Sequence, residues 1–454
     1  MKRIIDYFLL EWKERTHRKP LLLRGARQVG KTYAVRELGK AFPDFVEINL
    51  ESNEAARFII EKDLDPHRII EQLSELIQKK IIPGQTLLFL DEVQSVPRAI
   101  IALRYFYELI PELHIVAAGS LLEFAIEQVG VPVGRVTFLY MYPLSFLEFL
   151  VALGHREWAK LIINNDVQKS MLEPVHEKLL TIVGEYLAIG GMPGAVSEWI
   201  KTRTSRNAKI IHADLIASYQ NDFGKYAKKT QIKYLNQLFQ KALEQLSRKF
   251  MYNRVGEYQK RELEPALELL EKAGLLYRVV KSSGQGIPIG AQADLDDFKI
   301  IALDVGLTQA LLKLDISSWF IDPLSLFINK GEIVEAFVGQ EILAYADPIM
   351  KEELFYWRKE NRSSQAEIDY LVQLKEAVVP IEVKAGTSLR IISMHIFLDS
   401  HSNSLYGMRF SARNYSSEQR IYSYPLYAVA KPFIDVNENV HKAIINLTDG
   451  SLVK

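Results

Sequence analysis

The chain has 454 residues, more than one ordinary domain holds; at about 100–200 residues per domain, two to four domains are expected. Hydrophobic residues make up 48% and charged residues 25%, the composition of a globular chain with a full core. Lys+Arg and Asp+Glu each number 56, so no global electrostatic pull toward nucleic acid or membrane follows, and the lack of cysteine excludes disulfides, cysteine nucleophiles and cysteine-ligated zinc. No stretch approaches the roughly 20 apolar residues of a spanning helix, and charges interrupt the apolar run from Met1 to Glu14, unlike a signal peptide. A cytoplasmic protein without membrane contact is expected.

From residue 1 to 145, apolar runs at 21–23, 45–50, 87–90 and 115–118 alternate with stretches long enough for helices, which predicts a parallel sheet with helices on its faces. Pro143 then marks a turn, and Ser145 a new helix start. The region 146–322 reads as mainly helical, broken by Gly190-Gly191-Met192-Pro193-Gly194. The stretch 262–274 is amphipathic, with Leu263, Ala266, Leu267, Leu269 and Leu270 on one side and Gly274 as its C-terminal cap. Apolar runs at 275–280 and 299–303 follow, with a Ser/Gly-rich loop after the first; helices followed by such a hairpin resemble a winged-helix module. From 323 to 454 the pattern is α+β: a helix over 332–346, strands at 354–358, 368–373 and 378–383, a helix over 387–399, and strands near 406–410 and 424–429. The whole reads as a multidomain α/β chain without repeats or low-complexity tracts.

Gly25-Ala26-Arg27-Gln28-Val29-Gly30-Lys31-Thr32 matches G-x-x-x-x-G-K-[ST] in full, between an apolar strand and a helix pattern. Glycines let successive backbone N–H groups wrap a phosphate, and the helix starting at Lys31 adds its partial positive end. Lys31 reaches the β- and γ-phosphates of ATP and the Thr32 hydroxyl ligates Mg²⁺. The strand Leu87-Leu88-Phe89-Leu90 delivers Asp91 and Glu92 to its carboxyl end; Asp91 is read as the second Mg²⁺ ligand and Glu92 as the base for the attacking water. Ser120, after Ala118-Gly119, is a γ-phosphate sensor or a helix N-cap. Arg135 is a candidate for stabilising charge on the phosphates, in competition with Arg27.

These stretches, with Gly134-Arg135, Tyr142-Pro143-Leu144-Ser145-Phe146-Leu147-Glu148-Phe149, Gly190-Gly191-Met192-Pro193 and Leu303-Asp304-Val305-Gly306-Leu307, resemble the bacterial and archaeal AAA-type ATPases that carry a C-terminal domain of unknown function, DUF4143. The resemblance covers nearly the whole chain. It implies an AAA-type ATPase domain over 1–145, a helical and winged-helix-like domain over 146–322, and a nuclease-like DUF4143 domain over 323–454. One departure is visible: Ala118-Gly119-Ser120 stands where the family has Thr-Gly-Ser. Such ATPases often form rings, in which Arg135 would act across subunits of a homo-oligomer.

In the last region, Glu382 and Lys384 fall on one face of a strand, and a hairpin pairing places Asp369 near Glu382. Two carboxylates to hold Mg²⁺ and a lysine to position water or offset phosphate charge resemble a PD-(D/E)xK nuclease core, a restriction-endonuclease-like fold. Its helical acid maps to Glu335, with Glu332 as the alternative. Basic runs at Trp357-Arg358-Lys359 with Arg362, and at Lys225, Lys228, Lys229 and Lys233, could follow nucleic-acid phosphates or be solvated faces. Two readings stay open: an ATPase coupled to a nucleic-acid-directed nuclease-like domain, DNA rather than RNA, or a nucleotide-dependent switch whose last domain only binds.

Overall fold

Five of the chain's strands lie side by side in the N-terminal region. In the computed structural model, which describes residues 1–130, 132, 134–359, 366–384 and 391–449, these are β1 (Leu21–Arg24), β2 (Asp44–Asn49), β3 (Thr86–Asp91), β4 (His114–Ala118) and β5 (Thr137–Tyr140). All run parallel in the order β2-β3-β4-β1-β5. The central strands are unbroken apolar runs because helices cover both faces. Leu88, Leu103 and Phe106 are at most 2% exposed, and each such side chain contributes about 1.5–3 kcal/mol on burial. The first four strands fall on the expected apolar runs. β5 escaped the sequence reading because it is a short edge strand whose side chains are mostly half-buried. Chain order changes direction around β1, whose neighbours β4 and β5 both come later, and this opens a crevice at the carboxyl ends of the strands.

The chain divides into two compact units, Met1–Tyr142 with Asp347–Lys351, and Pro143–Ala346 with Glu352–Lys454. In the second, helix Phe146–Ala152 starts where expected, with Ser145 and Glu148 closing a capping box. The Gly190-Gly191 break is a close-packing site: a Cβ on Gly191 would lie 2.1 Å from the Leu144 carbonyl oxygen, so no larger residue fits. Its N–H donates to the buried Asp304 carboxylate at 2.6 Å, tying the break to the start of helix Val305–Leu311.

Helix Lys260–Lys272 leads into β6 (Leu276–Ser282) and β7 (Ala293–Ala302), the expected hairpin. It is not a free-standing wing. β6 pairs in parallel with β8 (Leu354–Arg358), and the sheet continues through β9 (Glu367–Leu374), β10 (Ala377–Lys384), β11 (Gly407–Ser411), β12 (Ser416–Glu418) and β13 (Ile421–Pro425) in the order β12-β13-β11-β10-β9-β8-β6-β7. One sheet thus runs across residue 322. Helix Gly331–Ala344 packs on β7 and β10. The expected helix over 387–399 begins at Ile392 among the described residues. No helix among the described residues is long and apolar enough to cross a membrane.

Candidate nucleotide site and acid–lysine cluster

The loop between β1 and helix Lys31–Gly39 is held from both sides. Gly25 has φ 147°, and a Cβ there would meet the Met141 carbonyl oxygen at 2.2 Å, so glycine is obligatory. Gly30 closes the loop with φ 103°, a left-handed position that glycine adopts at no steric cost. Gln28 also takes positive φ, 65°, and is exposed at the loop's tip. Arg3 donates to the Val29 carbonyl at 3.0 Å. With Ala26 and Val29 buried and Arg27 half-buried, the loop has a fixed apolar underside.

Lys31 folds back into this loop, donating to the Gly25 and Ala26 carbonyls at 2.8 Å each. Burial pulls its ammonium down to about 8, partly offset by Glu92 and Asp91. Thr32 donates its hydroxyl to Asp91 at 2.9 Å, so the two expected Mg²⁺ ligands already face one another. Asp91 is buried, and desolvation pushes its carboxyl above the ordinary value despite the Thr32 bond. A buried carboxylate short of positive charge, beside a hydroxyl, suits a hard divalent cation with oxygen ligands.

Glu92 sits one residue past β3 with φ 52°, a turn that separates it from Asp91 on the strand. Gln94 donates to its carboxylate at 2.5 Å. Gln94 in turn fills the space beside Gly119, where a Cβ would come 2.0 Å from its amide oxygen. Gln94 thus holds the Glu92 carboxylate, a contact that sequence reasoning did not anticipate. Ser120 follows β4, between β3 and β1 in the sheet, and is half-buried; it is not the N-cap of helix Leu122–Val129, whose N-cap is Leu121. Arg135 is exposed and donates to Glu108 at 2.8 Å rather than to a residue of the cradle. A different arginine ends β1: Arg24 bonds Glu123 at 2.6 Å and the Tyr140 hydroxyl at 2.8 Å, with its guanidinium over the Phe138 and Tyr140 rings.

In the second unit the β9–β10 hairpin has the expected register. Ile381 pairs with Tyr370, and the Val383 N–H donates to Asp369 at 2.7 Å. Lys384 bonds Glu382 on the same strand face. Glu335 enters from helix Gly331–Ala344, whose backbone is fastened by the Tyr370 hydroxyl donating to the Glu335 carbonyl at 2.8 Å. Glu332 lies one turn earlier, lining a separate cleft with Leu243, Arg248 and Leu312.

The group has a member the sequence reading missed. Lys299, on β7 and 1% exposed, reaches Glu335 at 3.0 Å, Glu367 at 2.6 Å and Asp369 at 3.9 Å. Its ammonium is held well above the ordinary lysine range: burial opposes the charge, but Glu335, Asp369 and Glu367 outweigh it. Burial, then Glu335 and Glu382, push the Asp369 carboxyl well up; burial also raises Glu382. The expected Mg²⁺ set of Glu335, Asp369 and Glu382 is therefore gathered around a lysine. Among the described residues no group of three or more acids and histidines is arranged to hold a metal ion. The sequence signal for Lys299 was its place at the head of an apolar run, where a solvated lysine does not belong. Of the basic runs, Arg358 pairs with Asp297 at 2.7 Å and Lys225 with Asp222 at 3.4 Å; Lys228 and Lys229 are exposed, Lys233 lies over the Tyr234 ring, and Arg362 falls outside the described residues.

Residues 17–150 match the family model of an AAA domain, residues 181–318 that of a domain of unknown function (DUF8612), and residues 330–429 that of a domain of unknown function (DUF4143). Among solved structures the chain is similar to the Walker-type ATPase PABY2304 of Pyrococcus abyssi, at 15% identity over 68% of this chain and 95% of that one, with a TM-score of 0.44. It is also similar to PCH-2 of C. elegans, at 15% identity over 44% of this chain and 62% of that one, TM-score 0.26. A third is the Hsp104–ADP complex of S. cerevisiae, at 14% identity over 59% of this chain and 37% of that one, TM-score 0.27. No curated protein matches. The chain thus carries an AAA domain over residues 17–150 and a DUF4143 domain over residues 330–429.

Proposed function

We propose that the protein binds ATP with Mg²⁺, hydrolyses it, and uses the nucleotide state to control a nuclease-like domain directed at nucleic acid, DNA rather than RNA. The observation that carries the first half is the complete cradle: Lys31 folded onto the Gly25 and Ala26 carbonyls, with Thr32, in the helix that follows β1, bonded to Asp91 at the carboxyl end of β3. Phosphate oxygens arriving in the loop would draw the Lys31 ammonium off those carbonyls, a charge-assisted exchange. Mg²⁺ held by Thr32 and Asp91 would supply the positive charge that the β- and γ-phosphates require. Glu92, steadied by Gln94, takes the proton of the attacking water, and Ser120, just past the end of β4, bonds the γ-phosphate. Arg135, outside the cradle and exposed, would serve a neighbouring subunit's nucleotide in a homo-oligomer. A larger solution mass with ATP than without is then expected.

Three proteins test the ATPase assignment. Lys31→Ala is expected to lose ATP binding, and Glu92→Gln to keep binding while hydrolysis falls about 10²–10⁴-fold, the usual worth of a general base. Equal hydrolysis rates for wild type and both variants would reject the assignment.

For the last domain, Lys299 favours the second reading, a nucleotide-dependent switch whose nuclease-like domain binds DNA or protein without cutting. Its ammonium already pairs with Glu335 and lies beside Asp369, two of the acids that cleavage would need for a metal. Supercoiled and single-stranded DNA incubated with Mg²⁺ or Mn²⁺ are expected to stay intact; nicking that disappears in Asp369→Ala and Lys384→Ala would restore the nuclease reading.

A further inference from the structure

The acid–lysine cluster poses a question of charge: four carboxylates, Glu335, Glu367, Asp369 and Glu382, gather in a largely buried place. A nuclease core would answer it with a divalent cation. We propose that here the centre is metal-free, and that the Lys299 ammonium permanently occupies the role of that cation. The proposal rests on the non-cleaving reading above and deepens it.

Each acid is already engaged. Lys299 stands between Glu335 and Glu367 at ion-pair distance, with Asp369 at 3.9 Å on a third side. It lies 5.0 Å from the centroid of the Tyr356 ring, a further anchor for a desolvated cation. Asp369 turns its other oxygen to the Val383 N–H at 2.7 Å. Glu382 is taken by Lys384. A divalent cation among these oxygens would lie within a few ångströms of a buried ammonium, and like charges in such a place repel strongly.

One atom remains open. The Oε2 of Glu382 is buried without a hydrogen-bond partner. Lys299 comes from β7, before residue 322, so the hairpin that extends the sheet also supplies the centre with its buried cation.

Mn²⁺ is the probe, titrated into the nucleotide-free full-length protein and followed by electron paramagnetic resonance. Wild type and Asp369→Asn are expected to bind Mn²⁺ identically, since the centre takes none. Lys299→Met is expected to gain one Mn²⁺ site per chain that disappears again when Asp369→Asn is added. An Asp369-dependent Mn²⁺ site in the wild type overturns the proposal, and so does a folded Lys299→Met protein that gains no site. Should Lys299→Met fail to fold, as unpaired buried acids can cause, the comparison of wild type with Asp369→Asn still decides. DNA cleavage without an Asp369-dependent Mn²⁺ site would refute the non-cleaving reading while leaving the metal-free centre standing.

Discussion

Lys31 shows how a motif residue acquires a measurable property from its setting. Burial in its own loop lowers its ammonium to about 8. A bound phosphate favours the charged form, so ATP binding above that pH must be accompanied by proton uptake. Affinity for ATP is therefore expected to be flat below about pH 8 and to weaken above it, by about tenfold for each further pH unit. Calorimetric titrations at pH 7 and at pH 9.5 check this; equal affinity at both would mean that Lys31 keeps its proton throughout. Lys31 and Thr32 were marked out in the chain by a motif of fixed spacing along one backbone, and Asp91 and Glu92 by the end of an apolar strand; the structure brings Thr32 and Asp91 into contact. Gln94 and Lys299 were not marked out, because their partners lie across a turn or across strands.

At the scale of elements, a buried glutamate fastens a helix start. Both Glu341 oxygens accept the Phe146 N–H, each at 3.0 Å, capping helix Phe146–Ala152 from 195 residues further along the chain. Burial raises this carboxyl from 4.5 to about 8, against the Phe146 bond. An acid raised on folding stabilises while it is protonated: the contribution is complete below its unfolded value and fades as pH rises toward the folded one. Thermal stability is thus expected to fall between about pH 4.5 and pH 8, at up to 1.4 kcal/mol per pH unit for one such group. Glu341→Gln, which cannot ionise, is expected to flatten that slope in melts across the range; an unchanged slope would assign it to other groups, such as Asp304 beside His212. The elements themselves were well marked. Ser145 and Glu148 announce their helix, and the apolar runs of β1, β3 and β4 announce strands buried on both faces. β12 was missed because three residues are too few for an alternating pattern.

For the whole molecule, the sheet decides where the chain can be cut. The matches to DUF8612 and DUF4143 meet between residues 318 and 330, yet β6 and β7 on one side and β8–β13 on the other belong to one sheet. A fragment beginning at residue 323 would expose the edge of β8 and leave Glu335, Glu367 and Asp369 without Lys299. Such a fragment is expected to remain unfolded by circular dichroism, and limited proteolysis of the full chain to yield no stable piece starting near 323. A well-folded 323–454 fragment would show that the hairpin is dispensable. The sequence by itself determined the glycine–lysine loop between strand and helix, the first four N-terminal strands and the β9–β10 hairpin that carries Asp369 and Glu382, because each depends on spacing within a short stretch of chain. Only the tertiary structure decided which arginines stand apart from the cradle, that the expected wing is part of a larger sheet, and that a lysine about 70 residues upstream sits among the C-terminal acids. Charge pairing and sheet edges are satisfied across long separations in the chain, and no local pattern records them.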